Sequence, residues 1–289
     1  MKRNTFWLYM FSAPLILFFT VFLLAPVIIV FGSSFVEWKG FSGNITFIGL
    51  DNYIAAMSDS EFIVSFKHTL IWIFLQSTIH VLIGVSFAII ISRKFRGWKV
   101  LRTSFMIPNM ISASALGFIF LMVFNGQIGL INGVLKKLHL EQFVHNWFFD
   151  PSTAFVSVTV TWLLFSGLIM LLVLTEIGTI PSSLYEAADL DGASQWQKDL
   201  FITIPQLRNV LGTCMIIAAT SKLKEFELIY LTTKGGPGTE TMSLPLYLYN
   251  TMIVQNNFGY SNMIGTVLIA LGLILIYFIS KVFKIASDE

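Results

Sequence analysis

The chain alternates between long charge-free runs and short polar segments. No charged residue lies between Arg3 and Glu37. A membrane-crossing helix needs about 20 predominantly apolar residues, so a first span is predicted over 8–32. The apolar core of a signal peptide is only about 7–15 residues, so this longer run is read as a retained span. Charge-free runs recur at 69–92, 103–135 and 151–175 and predict spans over 69–92, 103–125 and 153–175. After a polar stretch at 176–208 come an apolar run at 209–233, interrupted by Lys222, Lys224, Glu225 and Glu227, and a clean run predicting a span over 261–282. These runs describe one all-α membrane domain over 1–289 with six transmembrane helices. The apolar stretch at 244–254, which carries Pro245, is too short to span and is expected to be a partial helix at the outer face.

Composition agrees with the pattern. Of 289 residues, 55% are hydrophobic and only 12% charged, where a soluble domain carries about 25% charged residues. A net charge of +2 is too small to indicate a nucleic-acid-binding body. The lone Cys214 excludes an internal disulfide or a cysteine-based metal site. Cytoplasmic segments carry the excess of Lys and Arg. With the N-terminus inside, eleven basic residues fall on the cytoplasmic side, Arg93, Lys94, Arg96, Lys99 and Arg102 among them, against Lys39, Lys67, Lys136, Lys137 and Lys234 outside. The expected placement is a multi-pass protein of a bacterial cytoplasmic (plasma) membrane, with both termini and the 176–208 stretch in the cytoplasm.

The segment 181–205 within that stretch has its own local logic. Ser183 and Glu186 stand at the capping-box spacing just after Pro181, which predicts a short helix starting there. Leu184, Ala187 and Ala188 share one of its faces, and Gly192 tolerates the left-handed conformation that ends helices. Ser194 and Gln197 repeat the spacing, predicting a second helix that runs through Trp196 and Leu200 to Pro205. The product is helix, bend, helix. Spacing alone leaves open an ordinary hairpin folded against its own helix ends.

The same segment reads Glu186-Ala187-Ala188, then Gly192, then Ile202-Thr203-Ile204-Pro205. It resembles the EAA loop of binding-protein-dependent ABC importer permeases, with Ile204 where the family pattern has Leu. FIGLDNYIAAMSDSEF, FNGQIGLINGVL, TTKGGPGT and NFGYSNM resemble the first permease subunit of the carbohydrate-uptake branch, which includes the maltose, glycerol-phosphate, raffinose and multiple-sugar permeases. The resemblance implies a type I ABC importer permease fold in which Glu186, Ala187, Ala188, Asp191 and Gly192 form a coupling helix seated on a cytoplasmic ATPase. It implies as partners a second homologous permease, two copies of that ATPase and an extracytoplasmic sugar-binding protein. Because helices 4 and 5 line the sugar path in this family, Trp162 and Phe165 are expected to stack on sugar rings. Four charges within 222–227 should not face lipid, where each costs about 2.5–3.5 kcal/mol. Ser221, Lys222 and Glu225 share a helical face and are expected to line the path, while Lys224 and Glu227 are placed to pair with each other or with the partner subunit. The cargo is expected to be a sugar or small oligosaccharide, such as raffinose or another α-galactoside.

No GxxxxGK(S/T) phosphate loop, HExxH or GxSxG occurs. The chain is therefore read as a non-catalytic pore subunit with no catalytic or metal-ligating residues and no cofactor of its own, ATP and Mg being bound by the partner ATPase. His80 is alone in its span and is expected to be packed. The alternative is an ion-coupled secondary carrier that works without an ATPase.

Overall fold

The computed structural model describes residues 2–40 and 43–285, with the side chains of residues 2–8 outside the description. Among the described residues, four helices are long and apolar enough to cross a membrane: Tyr9–Ser33, Ser60–Ser92, Ala154–Ile177 and Phe258–Phe283. Two bent pairs, Trp98–Met110 with Ala113–Val123 at 104° and Gln195–Gln206 with Arg208–Ser221 at 69°, bring the number to six if each pair counts as one span. The short apolar stretch forms a helix over Leu244–Val254.

The second, third and fifth expected helices depart from the expected course, each for a local reason. The second starts at Ser60 rather than at 69, because the Asp59 carboxylate caps it by accepting the Glu61 and Phe62 amides at 2.9 and 3.3 Å. Glu61 and Lys67 mark the limit of the apolar run and do not stop the helix. The third is broken near Ile111 and Ser112, which are extended at ψ 138 and 148. Pro108 cannot donate to the turn before it, and the Ser112 hydroxyl accepts from the Ala115 amide at 3.2 Å to start the next helix. The fifth stops at Ser221, unwinds, and resumes as Glu227–Thr232.

The chain divides into two compact units. In the unit formed by residues 1–63 and 247–270, strand Val36–Trp38 pairs antiparallel with Ile45–Phe47, a hairpin absent from the sequence reading. Helix Asp51–Ser58 follows, and its Asn52 amide ties back to the Ser34 and Val36 carbonyls at 2.9 and 3.1 Å. Asp59 accepts hydrogen bonds from the Tyr247 and Tyr260 hydroxyls, joining two of the family-like segments. Burial pushes this carboxyl up, but the two phenols and the Phe62 and Glu61 amides outweigh it and hold its pKa below the usual carboxylate range.

The unit formed by residues 64–246 and 271–289 holds the core. Val81, Val85, Ala88 and Ile91, spaced at helical intervals, pack with Ile169, Met170 and Val173 and with Cys214 and Ala218 of Arg208–Ser221. Gly84 lies between Val81 and Val85 and makes the close approach possible: a Cβ there would stand 2.7 Å from Ile169 Cγ2. Gly84→Val is therefore expected to lower stability by about 1–3 kcal/mol, read as a lower melting temperature of the purified protein. An unchanged melt would mean that the two helices do not pack this closely. In the same unit, fully buried Asn132 accepts from the Trp147 indole at 2.8 Å and donates to the Gly126 and His145 carbonyls at 2.9 and 2.8 Å. This network gives FNGQIGLINGVL a structural role as a loop clamp.

Candidate functional site

A cavity of about 230 Å³ within the second unit is bordered by Trp162, Phe165, Ser221, Lys222 and Glu225. The structure thus brings together around one cavity all five residues that the sequence reading put on the transport path. Its other polar residues are Gln76, His80 and Asn109, none of which that reading assigned to the path.

Four irregularities in otherwise helical backbone converge on this cavity. Gln76–His80 is a turn of π-helix inside the second span. Pro108 and Asn109 stand just before the 104° bend. Phe165 occupies the interruption between Ala154–Leu163 and Gly167–Ile177. Lys222 is the C-cap of Arg208–Ser221, and Lys222, Leu223 and Lys224 bond back three residues rather than four. Non-helical backbone at membrane depth is tolerated where it is buried in protein or lines a cavity, and π turns cluster at functional sites.

The charges are arranged tightly. Lys222 is 6% exposed, and its ammonium donates to Glu225 Oε2 at 2.6 Å and lies 3.7 Å from the centroid of the Trp162 ring. The shared face expected for Ser221, Lys222 and Glu225 arises from the turn that ends the helix, not from a continuing helix. The Ser221 hydroxyl donates to the Ala218 carbonyl at 2.7 Å. Of the two pairings open to Lys224 and Glu227, the one with each other is not formed: no ion pair joins them among the described residues, and Glu227 accepts from the Ser114 hydroxyl. His80 is buried, as a packed histidine should be, with Nδ1 2.9 Å from the Leu163 carbonyl. Since a carbonyl only accepts, Nδ1 carries the hydrogen and Nε2 is the ring's remaining polar atom. Among the described residues, no group of three or more His, Cys, Asp or Glu side chains could hold a metal ion.

The second site is the helix–bend–helix at Ser182–Leu190 and Gln195–Gln206. The first capping box is not formed, because Pro181 takes the N-cap position and has no side-chain acceptor. Glu186 is consequently exposed rather than turned back on its own helix. The bend follows the expected chemistry: Gly192 has φ +75, and the Ala193 amide reaches the Ala188 carbonyl at 2.9 Å, the Schellman closure. The second capping box, Ser194 with Gln197, is complete. Three side-chain links hold the segment. Lys198 pairs with Asp189 across the bend, Tyr185 meets Thr203 at 3.0 Å, and Asp199 pairs with Arg93 at the end of the Ser60–Ser92 helix. Ala187 and Asp191 are exposed and Ala188 is half-buried. Leu190, Trp196 and Phe201 are 91%, 71% and 71% exposed, leaving a large apolar surface on the same segment.

Comparison with known proteins agrees with this arrangement. Residues 80–284 match the family described as binding-protein-dependent transport system inner membrane component. The probable ABC transporter permease protein YurN of Bacillus subtilis is 31% identical over 97% of both chains. The trehalose/maltose transport system permease protein MalF of Thermococcus litoralis is 32% identical, over 84% of this chain and 82% of its own. Among solved structures, a chain of a bacterial ABC transporter involved in the import of the acidic polysaccharide alginate superposes with a TM-score of 0.84 at 22% identity, covering 99% of this chain and 98% of that one. The chain therefore belongs to the binding-protein-dependent transport system inner membrane component family, with the fold of a type I ABC importer permease.

Proposed function

We propose that this chain is the permease subunit of an ATP-driven importer that moves a sugar or small oligosaccharide from an extracytoplasmic binding protein into the cytoplasm. The observation that carries the reading is the convergence of four helix irregularities on one cavity that presents an aromatic pair, Trp162 and Phe165, beside polar side chains. Flat aromatic faces and hydroxyl-bonding groups are what a sugar ring requires. The names of relatives support it: one is a trehalose/maltose permease and another belongs to a multiple sugar-binding transport system.

In this reading both termini and the helix–bend–helix face the cytoplasm. The exposed Glu186, Ala187 and Asp191, with apolar Leu190 and Trp196, dock on a partner ATPase that binds the ATP and Mg. The chain itself performs no hydrolysis. The complete assembly contains a second homologous permease, two copies of the ATPase and a sugar-binding protein outside. ATP-driven closure of the ATPase pair draws the coupling segments together and turns the spans toward the binding protein, and hydrolysis resets them inward.

The test is affinity purification of the chain from its native membrane in mild detergent, identification of the co-purifying proteins by mass spectrometry, and uptake of raffinose and maltotriose by the reconstituted assembly. Recovery of an ATPase and a second permease, with uptake dependent on ATP, is expected. Recovery of the chain alone, active in proton- or sodium-driven uptake, would overturn the reading in favour of an ion-coupled carrier.

A further inference from the structure

We propose that the cavity admits only uncharged saccharides: Gln76 and His80 bind their hydroxyls, and the Lys222–Glu225 pair closes the site to acidic sugars. This deepens the sugar-import reading above and rests on it. Relatives of this fold are named for trehalose/maltose and for alginate, an acidic polysaccharide, so the fold leaves open the charge of the cargo. The side chains of the cavity must decide it.

Gln76 is 7% exposed, borders the cavity, and its Oε1 has no hydrogen-bond partner. A buried carbonyl oxygen left unpaired is unfavourable, and the group it lacks is a donor. A sugar hydroxyl supplies one, and its own oxygen remains free to accept. His80 stands one helical turn along the same span. With Nδ1 committed to the Leu163 carbonyl, its Nε2 is available to a second hydroxyl. The wall thus has hydrogen-bonding capacity that the protein alone does not satisfy.

The charges show the opposite economy. Lys222 already has Glu225 at 2.6 Å and the Trp162 face at 3.7 Å. His80 aside, these are the only ionisable residues in the lining, so the cavity carries no net charge. A sugar carboxylate would enter beside Glu225 with no free cation to receive it, losing its hydration and meeting a like charge. A neutral saccharide avoids both penalties. The volume of about 230 Å³ lies below the roughly 300–1,000 Å³ of drug-sized ligand sites, which fits one ring at a time against Trp162 and Phe165.

The experiment uses the assembled complex in nanodiscs and saturation-transfer-difference NMR, which detects weak binding, with raffinose, maltotriose and trigalacturonate as probes. The native complex is expected to give ring-proton signals from at least one neutral sugar, and signals about tenfold weaker from trigalacturonate. Gln76→Leu removes one hydrogen bond, so neutral-sugar affinity should fall about five- to tenfold. The same substitution should leave the melting temperature unchanged or higher, since it deletes an unpaired buried oxygen. A merely structural Gln76 would show a lower melting temperature and unchanged binding, which would refute its proposed role. Glu225→Gln frees Lys222 and should raise trigalacturonate binding about tenfold, whereas Lys222→Met should not.

Equal binding of the acidic and neutral probes by the native complex would overturn the charge selection while leaving sugar import standing. Absence of gain in a folded Glu225→Gln complex would do the same. Failure of all three sugars to bind would overturn this inference together with the sugar reading.

Discussion

Glu225→Ala is expected to destabilise the protein by about 3 kcal/mol, and Lys222→Met by less than about 1 kcal/mol. The asymmetry follows from exposure. The Lys222 side chain is 5% exposed and that of Glu225 32%. Removing the carboxylate leaves a buried ammonium with only the Trp162 face, at 3.7 Å, to compensate it. Removing the ammonium leaves a carboxylate that still reaches water, while the methionine fills the vacated space. The double substitution should then recover most of the loss, because no buried charge remains. Cys214 makes the measurement direct: it is the single cysteine in the chain and is fully buried. A thiol-reactive dye followed during heating therefore reports when this unit opens. Equal losses from the two single substitutions, or a double variant no more stable than Glu225→Ala, would show that the pair does not set the local stability.

What could be read from the sequence divides along physical lines. Charge-free runs locate spans because the bilayer excludes charge, and for the same reason they report the membrane boundary rather than the helix boundary. That is why the Ser60 start, with Glu61 and Lys67 inside the helix, was not visible. The bend at Gly192 and the capping box at Ser194 were legible because both depend on residues within a few positions of one another. Pro181 displaced the other box by a competing local choice. The hairpin at Val36–Trp38, the Asn132 clamp and the meeting of Asp59 with Tyr247 and Tyr260 are made by tertiary contacts that no local pattern encodes.

The cavity was legible by half. Lys222 and Glu225 stood out because charge in an apolar run demands an explanation, and the resemblance pointed to Trp162 and Phe165. Gln76 carries no such signal because a neutral polar side chain does not interrupt a charge-free run, and His80, alone in its span, reads as a packed histidine. Yet they are four residues apart on one helix face, and that paired polarity was the available signal. The break at Ile111 had a weaker signal in Pro108 followed closely by Ser112, a helix breaker and then a capping residue.

Glu186→Lys is expected to reduce recovery of the ATPase with the complex at least about thirtyfold while leaving the thermal stability of the permease within about 0.5 kcal/mol. Glu186 is exposed, and none of the three links that hold the helix–bend–helix uses it. On the proposed coupling role, reversing its charge acts on the docking partner, where losing one member of a hydrogen-bonded charge pair costs about 2–5 kcal/mol. Arg93→Ala should behave differently. The Asp199 side chain is 8% exposed and would lose its cation, which costs about 3 kcal/mol. It would also untie the coupling segment from the Ser60–Ser92 helix, so stability and coupling should fall together. Lys198→Met is the milder control, since its partner Asp189 is 63% exposed and returns to water at less than about 1 kcal/mol. Loss of stability in Glu186→Lys, or full ATPase recovery with it, would move the docking contact elsewhere on the segment, to the apolar surface of Leu190, Trp196 and Phe201. The ion pairs that hold the segment's shape, Lys198 with Asp189 and Arg93 with Asp199, leave the exposed Glu186 out. On the proposed coupling role, such a division would let the permease transmit a pull from a partner without its own fold depending on that partner being present.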